Sequence, residues 1–268
     1  MPSEEWNDAV WEDPDGGTVV IHGTLPTVVY PNAMRPYDMT WHGLALLESP
    51  DVVDMWIQEE RDEAESQGVN LTHAMLSGGA FGKYAEGIST LEHLQGGRFP
   101  DPEPRRLQRI ADRHDRPVFF IEPLADDDDW GDYLTQEARA VSHWKKLLGM
   151  VRVGKRWKKS VKHHLFYAKP PPKGQSVDYA TASVLAAAWW ELSEWLSTPE
   201  LAQRRNARYA ARIRGALASL RAREGDEATL LLVAHLPHCT AMLEALNEGH
   251  PAEEISSTST HTLDTEEE

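Results

Sequence analysis

Twice in this chain a helix-spaced apolar pattern passes through a turn into a short run that is apolar at consecutive positions. Leu107, Ile110, Ala111 and His114 recur at i, i+3, i+4 and i+7, and Pro117 then starts Val118-Phe119-Phe120-Ile121. Farther on, Thr198-Pro199-Glu200 offers an N-cap, a proline at the first helical position and an acid favoured by the helix dipole. Tyr209, Ile213, Leu217 and Leu220 follow at helical spacing, Gly225 stops the helix, and Ala228–Ala234 forms a second apolar run. A strand that is apolar on both faces must be covered on both. The expected fold is therefore α/β, a largely parallel or mixed central sheet flanked by helices.

A third strand is read at Thr18-Val19-Val20-Ile21-His22, entered through Gly16-Gly17 and left through Gly23-Thr24-Leu25-Pro26. Val52–Ile57 fits either a strand or the opening of a helix. The glycines from Gly78 to Gly97 mark irregular connections around a short helix. Val184–Trp190, cut by Glu191, is a core helix far short of the roughly 20 apolar residues a membrane span needs. The organisation expected is a flexible N-terminus over 1–16, one α/β domain over 17–252 with a helical excursion over 139–197, and a disordered acidic tail over 253–268.

Forty-three acidic residues against 27 basic ones give a formal charge of −16, which repels nucleic acid and anionic membranes unless a local patch reverses the sign. No specific nucleic-acid partner is expected. The Asp-rich surface fits a halophilic host or an ordinary acidic cytosolic protein. Cys239 is the sole cysteine, so an intramolecular disulfide and a cysteine zinc cage are both excluded. Met1-Pro2-Ser3-Glu4-Glu5 lacks the basic and apolar regions of a signal peptide, and the expected location is cytoplasmic. Arg139–Lys169 departs from the general charge, having many lysines and arginines and no acid, with Trp144, Leu147, Leu148, Met150 and Trp157 interleaved. Such a basic helical excursion suits peripheral contact with an anionic membrane or a nucleic-acid backbone. The favoured expectation is a solvated helical hairpin paired with the chain's own Asp126–Asp129 loop.

Sheets of this kind bind ligands beyond the carboxyl ends of their strands. At those ends the sequence puts His22 with Gly23 and Thr24, Glu59 with Arg61, Glu122, and His235 with His238. His235 is the leading candidate, an imidazole between a buried strand and a helix start. His238 completes a His-x-x-His pair, although Pro237 bends the chain between them. Glu122, following four apolar residues, suits acid–base work with a raised pKa or an ion pair with an arginine such as Arg205. No Walker, Rossmann, Gly-x-Ser-x-Gly or His-Glu-x-x-His pattern is present.

Three segments resemble the TraB/PrgY and TIKI group, a superfamily that also takes in erythromycin-esterase-like and ChaN-like proteins. Arg204-Arg205-Asn206-Ala207-Arg208-Tyr209-Ala210-Ala211-Arg212-Ile213 is similar to that family's Glu-Arg-Asn-x-x-Met-Ala helix. Leu230–Pro237 is similar to its closing strand and Gly-x-x-His turn, and Ile21-His22-Gly23-Thr24 to its opening strand. Pro50–Val53 and Arg61 resemble the element after that. The departures are Pro26 where the first Gly-x-x-His has histidine, Trp56 at the acidic position, and Leu232 in place of the second motif's glycine. The resemblance implies a hydrolase acting on an ester or peptide carbonyl of a small-molecule or peptide substrate, with a divalent metal as a candidate cofactor. His235 and Glu122 would be catalytic, His235 and His238 metal ligands, and Gly23, Thr24, Arg61, Arg205 and Asn206 substrate-binding. The lost motif positions favour the alternative, a non-catalytic relative that keeps the fold and pocket for binding or signalling and docks through 139–169. Either way, the opening and closing strands must lie close enough in one sheet for Gly23-Thr24 and His235 to share a cleft beside Arg205 and Asn206.

Overall fold

A computed structural model of the chain describes residues 6–38 and 40–258, with the side chain of Lys145 left out. In chain order the elements are β1 (Ala9–Glu12), β2 (Thr18–Thr24), β3 (Gly43–Leu46), α1 (Val52–Glu65), α2 (Val69–Leu76), α3 (Gly79–Ser89), α4 (Pro102–Arg113) and β4 (Val118–Phe120). They continue with α5 (Asp128–Ser142), α6 (Trp144–Met150), α7 (Val153–Leu165), α8 (Asp178–Leu196), α9 (Pro199–Glu224), β5 (Thr229–His235) and α10 (Cys239–Asn247). The sheet order is β1-β2-β5-β3-β4, parallel throughout except for the antiparallel edge strand β1. This is the expected α/β architecture. β5 lies at its centre, between the opening strand β2 and β3.

The alternation of side chains along each strand divides the core in two. Val19, Ile21, Ala45, Phe119, Leu230 and Leu232 pack under α9 and α10, against Ile213, Leu217, Leu220 and Met242. Leu44, Leu46, Val118, Phe120, Leu231 and Val233 face α1 and α4, against Val53, Trp56, Leu107 and Ile110. A third cluster joins α3, α7 and α8 to the loop after β2 through Tyr84, Trp157, Ala186, Leu25 and Tyr30. The helix signals before β5 act as expected: the Thr198 side chain accepts from the Leu201 N–H, and Gly225 ends α9 at φ 84°. No described helix is long and apolar enough to cross a membrane.

Several expectations are corrected. Within the supposedly flexible 1–16 run, Ala9–Glu12 form β1, held to β2 by a hairpin in which Gly16 and Gly17 take φ of 103° and 82°. Residues 1–5 lie outside the described residues. Val52–Ile57, left open between strand and helix, is resolved as helix, because Val52, Val53 and Trp56 fall on one buried face while Asp54 and Met55 turn outward. At the other end, the disordered acidic tail does not begin at 253. Glu253 accepts from Arg208 and Arg212, its N–H bonds the Ala211 carbonyl at 2.9 Å, and the Thr258 N–H bonds Val118 O at 2.9 Å. Residues 259–268 lie outside the described residues.

The Asp-rich loop pairs with α9 rather than standing free for the basic segment. Asp127 caps α5 and binds Arg208 at 2.8 Å, while Arg204 reaches the Asp129 carbonyl and Asp132, so α9 supplies the countercharge. α7 packs instead on α8, with Trp157 and His164 buried and both Ser160 and His164 bonded to Glu191.

Gly215, on α9, leaves no room for a side chain. A Cβ there would lie 1.6 Å from the Glu253 carbonyl oxygen. Gly215→Ala is therefore expected to expel the 250–258 strap and lower stability by about 1–3 kcal/mol. Thermal melting and limited proteolysis check this, and an unchanged melting temperature with a protected C-terminus would refute the tight seating of the strap.

Candidate active site

Register determines what meets at the carboxyl edge of the sheet. Thr24 pairs with His235, Leu46 with Val233, and Leu46 with Phe120. The pairing of β3 with β4 continues past the strand ends through Ile121 N–H to Leu46 O at 2.8 Å and Glu122 N–H to Glu48 O at 3.1 Å. Two residues beyond the Leu46 row, Thr24, His235, Glu48 and Glu122 therefore stand in one line across four strands. All four border a cavity of about 310 Å³. Trp130 and Tyr133 of α5, Trp189 and Trp190 of α8, Arg205 and Tyr209 of α9, and His238 complete its walls. The opening and closing strands are thus neighbours, and the Arg205 helix does flank the cleft.

The carboxylates dominate the electrostatics. Burial, reinforced by the charge of Glu122, pushes the Glu48 carboxyl up to about 7. Glu48 is partly exposed, but this exposure is in a concave wall that protein surrounds. Burial also raises Glu122, against the hydrogen bond from the Tyr209 hydroxyl at 3.1 Å and the nearby Arg205 guanidinium. The charge of Glu122 at the adjacent strand end thus opposes ionisation of Glu48. Asp101, just ahead of α4, is pushed up to about 8 by burial, with Glu48 and Glu103 adding to it, and its Oδ1 is buried without a partner among the described residues.

Burial lowers His235 to about 4, so its imidazole is neutral at physiological pH. It packs edge-on against Trp189 at 5.0 Å, and its Nδ1 is buried with no hydrogen bond among the described residues. His238 is held well below its ordinary range by burial and by Arg205, stacks on Trp190 at 4.5 Å, and places Nε2 3.0 Å from Asn206 Oδ1. With the imidazole neutral, Nε2–H is the donor. Arg205 donates to the same Oδ1 at 3.2 and 3.3 Å and pairs with Glu194 at 3.0 Å.

Of the residues expected at the site, Thr24, Glu122, Arg205, His235 and His238 come together. Three others do not. Gly23 serves packing, since a Cβ there would come within 2.6 Å of Leu236 Cδ1 where β2 meets the turn into α10. Arg61 is exposed on α1, away from the cavity, because the segment that would have carried it to a strand end is helical; Glu59 goes with it. Asn206 contacts His238 and Arg205 and positions them, without lining the cavity. His22 packs against Tyr30 and binds Asp8 at 2.7 Å.

A divalent metal does not fit these donors. Among the described residues no three His, Cys, Asp or Glu side chains gather to hold one. The His235/His238 pair fails as a chelate because His238 Nε2 is taken by Asn206 and Arg205 already supplies a positive charge beside it. Glu48 was missed because β3 is only Gly43-Leu44-Ala45-Leu46, with no β-branched residue. Its signal was the pattern shared with β4: an apolar run, then a glutamate with a proline close behind, Glu48-Ser49-Pro50 and Glu122-Pro123.

No protein-family model matches the chain, and no curated protein matches it.

The raised pKa of Glu48 has a signed consequence. A carboxyl whose folded value lies above its unfolded one stabilises fully below the unfolded value of 4.5, and that contribution is lost as pH rises through about 7. Glu48→Gln should therefore match the parent protein near pH 4.5 and exceed it in stability by roughly 1–3 kcal/mol above pH 8. Chemical denaturation at the two pH values measures this. Equal stability at both would mean that Glu48 ionises normally.

Proposed function

We propose that this protein is a hydrolase of small carbonyl esters or amides, working by acid–base chemistry without a metal, and a diverged relative of the TraB/TIKI group. The observation that carries the reading is the row of Glu48, Glu122 and His235 at matched strand ends in one aromatic-walled cavity. A carboxyl such as Glu48, pushed up to about 7 by burial and by Glu122, suits a group that must take a proton and then return it.

Glu48, as carboxylate, removes a proton from water while the oxygen bonds to the substrate's carbonyl carbon. The carbonyl oxygen becomes an oxyanion, for which the Arg205 guanidinium in the cavity wall is the nearby donor. As the carbonyl re-forms, the bond to the leaving group breaks, and Glu48 returns its proton to the departing oxygen or nitrogen. Glu122 sets the proton affinity of Glu48, and the neutral His235 offers a hydrogen-bonding nitrogen to the substrate. The walls of Trp130, Tyr133, Trp189 and Trp190 exclude water and suit a flat or apolar acyl group. Asn206 holds the neutral His238 in place.

Hydrolysis of phenyl and 4-nitrophenyl esters by the full chain tests the reading. kcat/KM should rise with pH through about 7, should resist EDTA, and should fall on the order of a hundredfold or more in Glu48→Gln. Glu122→Gln should move the pH midpoint downward by removing the neighbouring charge. Absence of turnover across esters and anilides, or full activity in Glu48→Gln, would overturn the proposal. Ligand-induced thermal stabilisation without turnover would favour a binding protein that keeps the pocket.

A further inference from the structure

The basic segment is not used by the cavity chemistry, and its placement is unusual. Eight of the chain's nine lysines lie between Lys145 and Lys173, and no Asp or Glu occurs from Arg139 to Lys173. The rest of the chain carries all 43 acidic residues. The charge of the molecule is therefore strongly segregated onto one excursion.

Within that excursion α6 is turned the opposite way from an ordinary surface helix. Trp144, Leu147, Leu148 and Val151 recur at i, i+3, i+4 and i+7, yet they are 60, 49, 60 and 83 % exposed. The side turned inward carries Lys146 and Gly149. Lys146 Nζ lies 4.6 Å from the centre of the Trp195 ring and bonds the Trp195 and Ser197 carbonyls, and a Cβ at Gly149 would come within 2.6 Å of Trp195 Cη2. This inward packing fixes the apolar stripe facing outward. α7 follows directly with Lys155, Lys158, Lys159 and Lys162 exposed.

We propose that α6 and α7 form a docking surface for an anionic lipid bilayer, with the α6 stripe entering the headgroup boundary and the lysines contacting lipid phosphates. A basic amphipathic surface binds such a bilayer through buried apolar area together with electrostatic attraction. The acidic remainder of the protein is repelled by the same bilayer, so the molecule can approach only by this side. A nucleic-acid backbone would meet the lysines but leave three aliphatic side chains in water. An isologous contact between two copies would set the lysine-bearing segment against itself.

Sedimentation of the full chain with vesicles tests the surface. Binding is expected with phosphatidylcholine vesicles containing about a third phosphatidylglycerol, and not with phosphatidylcholine alone. It should weaken at least tenfold when salt rises from about 0.1 M to about 1 M, as the Debye length falls from ~10 to ~3 Å. Leu147→Ser/Leu148→Ser/Val151→Ser should lose about tenfold or more in affinity, and Lys155→Glu/Lys158→Glu/Lys162→Glu should abolish binding. Circular dichroism and melting temperature should be unchanged in both. No sedimentation with anionic vesicles, equal binding to neutral ones, or serine and glutamate variants that bind as well as the parent would each overturn the proposal. So would a concentration-dependent dimer lost in the serine variant without vesicle binding, or DNA binding that both forms retain while vesicles are ignored.

Discussion

The parallel pairing of β2 with β5 is the constraint on which the remaining structure rests. It joins residues more than 200 positions apart, seats β5 at the centre of the sheet, and sets Thr24 opposite His235. Because β3 then pairs with the other edge of β5, and β4 with β3, one register propagates to every strand end. A one-residue slip anywhere would exchange the faces of a strand and move a carboxylate or imidazole off the common row. Leu230–Ala234 are buried without exception, so β5 is covered on both faces.

α9 locks this arrangement electrostatically. Along one side Arg204, Arg208 and Arg212, four residues apart, reach Asp132, Asp127 and Glu253, tying the acidic loop before α5 and the C-terminal strap to one helix. Arg214 binds the hairpin carboxylates Asp13 and Asp15. Burial alone would raise the Asp13 carboxyl, but the hydrogen bonds from Arg214 hold it below its ordinary range. These three acidic segments are thus neutralised by arginines of α9, while eight of the nine lysines are kept together on the excursion. In the cavity burial outweighs such compensation: it is the largest influence on Glu48 and on Glu122, the latter despite the nearby Arg205.

Legibility in the sequence followed local signal strength. β4 and β5 announced themselves through runs of consecutive apolar residues, and α4 and α9 through helical spacing with clear caps, so Glu122, His235 and Arg205 could be placed at strand ends and beside them. β3 is four residues without a β-branched side chain and gave no such signal, so Glu48, pushed up to about 7, went unread. Arg61 was misplaced because six residues with two valines satisfy strand and helix patterns alike, and only packing of Trp56 against the α4 side of the sheet separates them. Gly23 and Asn206 were right in neighbourhood and wrong in role, because whether a residue lines a cavity or braces its wall depends on contacts with chain segments remote from it.

By itself the sequence determined the α/β class, the two doubly buried strands, the helices that feed them, and a charge distribution with one basic excursion in an acidic chain. These follow from periodicity, caps and composition, which act over a few residues. Tertiary structure alone decided the strand order, the hairpin that recruits Ala9–Glu12, the outward face of α6, and the meeting of Glu48 with Glu122 and His235. Each of those depends on which buried surface pairs with which. Such pairings are selected by the free energy of the whole core rather than by any local preference.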